Sequence, residues 1–277
     1  MSIYTQPNSW LCGPFALKHA LLAVGIRADE SSIARIAGTN EHGTDESELE
    51  RAADRFGCAL GTVRRRDPDA ARRVLNEHLA RGVPVLLCIE QWDHWVTAVC
   101  VEDDTYVVLD SRHPAVFRII PWEFLRELLA YRPGRRSRGG APIYDLHPVV
   151  PRNKSHTRPR FTVERARFLQ EWENRPLVAD WDRYVDDTAN VCRPVGFDNG
   201  ASGYLSPGEF FGRHEPALLD TVGDSQSGVR RSKARTVLRG LRFVADTYGL
   251  DVPAADAAVD RVREILARHL AAHARKT

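Results

Sequence analysis

A polar residue, an aromatic and a thiol stand close together near the start of the chain, in Gln6-Pro7-Asn8-Ser9-Trp10-Leu11-Cys12-Gly13-Pro14-Phe15. The apolar run that opens at Cys12 has helical composition, which puts the thiol at a helix N-terminus. There it faces backbone N–H groups with no intrahelical acceptor and the positive end of the helix dipole, and both favour thiolate over thiol. A thiolate so placed can attack a carbonyl carbon. Catalysis through it also needs a base, a group that orients the base, and donors for the oxyanion.

Two later residues fit those needs. His94 opens an apolar strand in Asp93-His94-Trp95-Val96, and Asp110 closes the next in Val107-Val108-Leu109-Asp110-Ser111. If the two strands pair through a turn at Asp103-Asp104, imidazole and carboxylate fall close to opposite each other. A carboxylate there holds the ring in one tautomer and stabilises its charged form. His113 is the substitute base should His94 be no more than a histidine at a strand end. Gln6 lies six positions before Cys12, from where its side-chain amide can donate to the oxyanion beside the Cys12 N–H. Trp10 and Trp95 read as core or cleft wall rather than as substrate platforms.

With Gln6…Cys12-Gly13-Pro14, then His94-Trp95-Val96, then Asp110, residues 1–150 resemble the papain-like cysteine peptidases of the C39 type. These are the double-glycine leader peptidases of bacteriocin export and their freestanding C39-like relatives. Gly43-Thr44, opening a helix with Leu49 and Ala52-Ala53, is similar to that family's middle region. The resemblance implies Cys12 as nucleophile, His94 as general base, Asp110 as orienting acid and Gln6 as oxyanion donor, with no cofactor. It implies nothing for residues 151–277. Two departures stand out: the bacteriocin peptidases are usually fused to membrane transporters, and the family commonly has Asp-Pro where this chain has Asp110-Ser111.

These residues need elements to hold them. An apolar first helix ending at Gly25 reads as central and covered. Short helices follow from Asp29 to Gly38, from Asp45 to Gly57 with Asp45 and Glu48 at capping-box spacing, and from Asp67-Pro68 to Gly82. Then Val83–Ile89, Trp95–Val101, Tyr106–Leu109 and Val116–Ile120 read as strands, and Pro121-Trp122 begins another helix up to Tyr131. Arg132–Gly140 has loop composition, and Ile143–Val150 can return to the same sheet. The layout is α+β: helices packed on a small antiparallel sheet. Pro151–Pro159 makes a fair linker. Beyond it Val163–Trp172, Val178–Thr188, Ser232–Tyr248 and Ala254–His273 read as helices of a bundle. The expected organisation is a C39-like papain-fold catalytic domain over 1–150 and a helical domain over 158–277 for substrate or partner recognition.

Composition excludes several classes. The 277 residues carry a net charge of +2, which points to no polyanionic partner. Local basic clusters, Arg64-Arg65-Arg66 and Arg135-Arg136-Ser137-Arg138, read as solvated loops, so no nucleic acid is expected. Five cysteines, Cys12, Cys58, Cys88, Cys100 and Cys192, show neither metal-ligand spacing nor an even disulfide count. A reducing compartment follows, with the last four as packing residues. With no apolar span and no signal peptide visible, a cytoplasmic protein without a membrane partner is expected. Asp198 to Glu209 has a calcium-loop pattern of Asp, Gly and Glu at positions one, six and twelve. Gly200 at the third position and Pro207-Gly208, read as breaking the exiting helix, favour a structural loop without metal.

The expected activity is a cysteine-dependent hydrolase, a peptidase or amidase working through a Cys12 acyl-enzyme. An acyltransferase using an amine acceptor at the same four residues is the alternative, and a non-catalytic peptide-binding module is a third reading. The substrate is a peptide, amide or acyl group, on its own or presented on a carrier or leader peptide; the sequence is silent on oligomeric state.

Overall fold

Every residue of the first helix, α1 (Cys12–Ala23), is buried, including Lys18 and His19. This follows from an apolar surface that runs all round it, with a polar remainder too small to make a solvent face. The computed structural model describes residues 3–133, 141–153, 158–194, 203–222 and 227–274. Arg135, Arg136 and Arg138 of the second basic cluster, and residues 198–202 of the calcium-loop-like stretch, lie outside the described residues. Contacts divide the chain into two units, one from Ile3 to Glu171 and the other from Trp172 onward.

In the first unit α1 is followed by α2 (Glu30–Ala37) and α3 (Glu46–Arg55), then β1 (Cys58–Leu60), β2 (Val63–Arg65) and α4 (Pro68–Ala80). Next come β3 (Val85–Ile89), β4 (His94–Glu102), β5 (Thr105–Leu109), β6 (Phe117–Pro121), α5 (Trp122–Leu129), β7 (Tyr144–Pro151) and α6 (Val163–Gln170). The strands form one antiparallel sheet in the order β1-β7-β3-β4-β5-β6, with β2 also on β7. Ile143–Val150 does return to the sheet, as expected. The sequence reading missed β1 and β2, which at three residues each are too short to show alternation.

Both faces of the sheet are covered, and β3 shows why its sequence is a continuous apolar run. Leu86 and Cys88 face a core built on α1 and α3, while Val85, Leu87 and Ile89 face a second core with Leu75 of α4 and Trp122 of α5. Successive side chains of a strand point to opposite faces, so a strand between two helical layers has no polar side. The capping box of α3 forms as expected: Asp45 accepts from the Glu48 N–H at 2.9 Å and Glu48 from the Asp45 N–H at 2.8 Å. α6, grouped with the helical region in the sequence reading, belongs to the first unit.

Two side-chain contacts seat α1. Thr97 Oγ1 of β4 donates to the Ala16 carbonyl at 2.6 Å, and Gly13 lies against Thr44. A Cβ at position 13 would come within 2.9 Å of the Thr44 Cβ. Gly13→Ala is therefore expected to cost about 1–3 kcal/mol through overpacking, read as a lower denaturant midpoint. Unchanged stability would mean that Thr44 is free to move. His19 is fully buried, and burial pushes its imidazole down to about 3, so it packs as a neutral ring edge-on to Phe15.

The second unit contains α7 (Arg175–Ala179), α8 (Trp181–Val191), α9 (Pro207–Asp220), α10 (Ser227–Tyr248) and α11 (Asp256–Ala274), with a minimal β-pair of β8 (Tyr204–Leu205) and β9 (Val252–Pro253). The helix read over Val178–Thr188 is two, broken at Asp180, whose ψ of 29° leaves the helical region. Pro207 does not break a helix; it starts α9. Ser206 accepts from the Glu209 N–H at 3.2 Å, and proline at the first helical position loses no hydrogen bond. Gly240 sits inside α10 because a Cβ there would come 2.5 Å from the Tyr184 ring. Buried Asp187 of α8 binds Arg268 and His269 of α11, each at 2.8 Å. Among the described residues no helix is long and apolar enough to cross a membrane.

Candidate active site

Cys12 is the first residue of α1, and no side chain caps that end. A 3-10 turn over Ser9–Leu11 leads directly into it. Hydrogen bonding from the backbone N–H of Trp95 and of Gly13 stabilises the sulfur as an anion.

His94 reaches this sulfur from the first position of β4. The tight turn before it, Glu90-Gln91-Trp92, holds three consecutive non-glycine residues at positive φ, 56°, 62° and 67°. Such backbone costs about 1–2 kcal/mol per residue and needs an outside anchor. The anchors are present. Glu90 N–H donates to the Leu128 carbonyl at 2.9 Å, Gln91 Nε2 donates to the Ala130 carbonyl at 2.8 Å, and Trp92 stacks on Tyr131 at 3.6 Å. Arg112 adds ion pairs to Glu90 at 2.8 Å and Asp93 at 3.9 Å. The loop carrying His94 is thus latched both to the end of α5 with the residues just after it and to the turn beyond Asp110.

Asp110 follows β5 directly. Its Oδ1 lies 2.7 Å from His94 Nε2 and accepts the Arg112 N–H at 3.0 Å; its Oδ2 accepts from Arg118 at 2.9 Å. Cys12, His94 and Asp110 are 5, 1 and 4% exposed, so the group is shielded from water. With Nε2 bound to Asp110, Nδ1 is buried without another partner and is the ring nitrogen left for the Cys12 thiol, whose interaction with the ring shifts both groups. The substitute base, His113, has its Nδ1 occupied inside its own turn, by the Ala115 N–H at 3.2 Å.

The charges are coupled. Burial by itself would push the Cys12 thiol up, but the hydrogen bond and charge of His94, with the two backbone N–H groups, outweigh it and hold the thiol below its ordinary value. Burial would likewise push His94 down, and the bonds to Asp110 and Cys12 overcome it, so the imidazole is raised. Asp110 is held well below the carboxylate range: burial opposes ionisation, and His94, Arg118 and the Arg112 N–H outweigh burial. Lowered thiol and raised imidazole together favour a thiolate–imidazolium pair. The other four thiols go the opposite way: burial pushes Cys58 up to about 11, and Cys88, Cys100 and Cys192 up to about 12.

Gln6 is joined to the turn after Asp110 rather than to Cys12 itself. Its N–H donates to the Ser111 carbonyl at 2.9 Å, its Oε1 accepts from Ser111 Oγ at 2.6 Å, and its Nε2 donates to the Asn8 carbonyl at 2.6 Å. Trp95 is buried in the core, donating Nε1 to the Thr44 carbonyl at 3.0 Å, whereas Trp10 is exposed, 39%. Arg118, Arg112 and Ser111 escaped the sequence reading. Only the adjacency of Ser111-Arg112 to Asp110 hinted at them.

No protein-family model matches the chain. Over 117 residues, 42% of this chain and 74% of the relative, it is 30% identical to an uncharacterized protein of Methanothermobacter marburgensis. The two belong to one family. Among solved structures, the chain is similar to the peptidase domain of Streptococcus ComA, a bi-functional ABC transporter involved in a quorum sensing pathway. Identity there is 13% and the TM-score 0.41, over 54% of this chain and 98% of that one. It is also similar to a double glycine motif protease from an AMS/PCAT transporter in complex with the leader peptide. In that case identity is 17% and the TM-score 0.38, over 53% and 90% of the two chains. Both of these structures match about half of this chain.

Proposed function

We propose that this protein is a cysteine-dependent hydrolase, a peptidase or amidase, that works through an acyl-enzyme on Cys12. One observation carries the reading. Of the five thiols, Cys12 alone is lowered, and it is the one beside a buried His94–Asp110 pair. Cys12 thiolate attacks the carbonyl carbon and forms the thioester, and the His94 imidazolium gives its proton to the leaving amine. Neutral His94 then takes a proton from water as that water attacks the thioester, and Cys12 leaves as thiolate. Asp110 holds the ring and stabilises its charge, and Arg118 and the Arg112 N–H hold Asp110. The Cys12 N–H and a Gln6 N–H stabilise the tetrahedral oxyanion.

Intact-mass spectrometry after brief exposure to p-nitrophenyl acetate tests the acyl-enzyme. One acetyl group is expected on Cys12, decaying with time in water. Acetylation spread over all the thiols, or none on Cys12, would refute the reading.

A further inference from the structure

We propose that Ser111 is a positioning residue that holds the Gln6 amide in the orientation needed to donate to the oxyanion. This rests on the reading of Gln6 as an oxyanion donor given above. A glutamine amide has two ends of nearly equal size and opposite polarity, so a half-turn about its last bond swaps donor for acceptor at little steric cost. For an oxyanion the swap matters: the flipped amide presents a lone pair to developing negative charge.

Two side-chain contacts determine which end faces which way, and a third, between backbones, holds the segments together. The Asn8 carbonyl can only accept, so it takes the nitrogen end, at 2.6 Å. Ser111 Oγ donates to the oxygen end, also at 2.6 Å. These two contacts at opposite ends of the amide fix its plane and leave one of the two N–H groups on Nε2 uncommitted. The third contact is backbone, Gln6 N–H to the Ser111 carbonyl at 2.9 Å, and it keeps the two segments together whatever side chain occupies position 111. Ser111 is 2% exposed, so its hydroxyl is itself withdrawn from solvent and directed to Gln6 Oε1. Because Ser111 follows Asp110 directly, one turn serves both ends of the chemistry: Asp110 orients the base, and Ser111 orients the amide. Ser111→Ala removes the hydroxyl and leaves the backbone tether.

The experiment uses the full chain, with p-nitrophenyl acetate as acyl donor and iodoacetamide as a probe that alkylates Cys12 without forming an oxyanion. Ser111→Ala is expected to lower the maximal acylation rate about tenfold, a part of the 10²–10³-fold that loss of a whole oxyanion donor costs. The half-saturating ester concentration and the alkylation rate stay unchanged. Ser111→Thr, which retains the hydroxyl, restores the rate. In a Gln6→Ala background, Ser111→Ala costs nothing further, since its only route of action is gone.

Full acylation by Ser111→Ala, or an equal loss added on top of Gln6→Ala, overturns the inference while the oxyanion role of Gln6 stands. A parallel drop in alkylation also overturns it, because Ser111 would then act through Asp110 and His94. If Gln6→Ala itself acylates at the wild-type rate, the oxyanion reading fails, and the role of Ser111 fails with it. Circular dichroism and the denaturant midpoint of each variant separate misfolding from these outcomes.

Discussion

Cys12→Ala is expected to abolish acylation, with a loss of about 10⁴-fold or more of the kind seen when a nucleophile is deleted from a preassembled site. The other thiols of the first unit, Cys58, Cys88 and Cys100, are all raised by burial. The second thiol of the same core, Cys88, is pushed up to about 12 by burial and is a neutral thiol at working pH. The fold should survive, because the substitution exchanges one small buried side chain for another and leaves the Gly13–Thr44 contact and the Thr97 bond to Ala16 in place. The measurement is acetyl transfer from p-nitrophenyl acetate, followed by mass, beside a denaturant melt of the same sample. Retained, time-dependent acylation of Cys12→Ala would end the proposal. A collapse of the melt would instead show that the thiol is a packing residue.

The second large effect is on the reactivity of the thiol itself. In the wild type, His94 is raised and Cys12 lowered, and the two shifts together favour the ion pair. Alkylation by iodoacetamide should therefore be fast well below pH 8.5, about the value at which an ordinary thiol becomes half thiolate. Removing His94 takes away both the hydrogen bond and the charge that lower Cys12, and leaves burial, the largest single influence, which raises it. His94→Ala should then slow alkylation at pH 7 by roughly 10–100-fold, since each unit of upward shift costs about a factor of ten in thiolate. At high pH the two proteins should converge. The sign for turnover follows from the same two groups. Activity needs thiolate and imidazolium together, so kcat/KM rises with pH as Cys12 ionises, below the ordinary thiol value. It falls as His94 loses its proton, above the ordinary imidazole value of 6.5. These two limbs belong to the coupled pair. An unchanged alkylation profile in His94→Ala, with loss in His113→Ala, would reassign the base.

Much of this was legible from residue order. The capping box of Asp45 and Glu48 forms as spacing implied, because it involves residues three apart. The all-round apolar α1 is central because a helix with no polar face cannot lie on a surface. Pro207 was misread because proline both ends helices and starts them; Ser206 just before it was the signal for a start. The strands that went unread, β1, β2, β8 and β9, are two or three residues long. Such segments become strands only by pairing with a partner supplied from elsewhere in the chain.

By itself, the sequence singled out a candidate site: a thiol opening an apolar helix, an imidazole at the start of one strand, a carboxylate after the next. Those are local facts, set by residue types and short spacings. How they meet was decided by tertiary structure. A β-bulge between Ala98 and Cys100 shifts the β4–β5 register by one residue, so that Leu109, not Asp110, stands opposite Thr97. A shift of one reverses the face on which a side chain falls, so the bulge governs where the carboxylate can point. The left-handed turn ahead of His94 and the ties from Arg112, Arg118 and Ser111 belong to the same class. Each joins residues brought together by the sheet, and a hydrogen bond or ion pair between such residues exists only once the chain has closed around it.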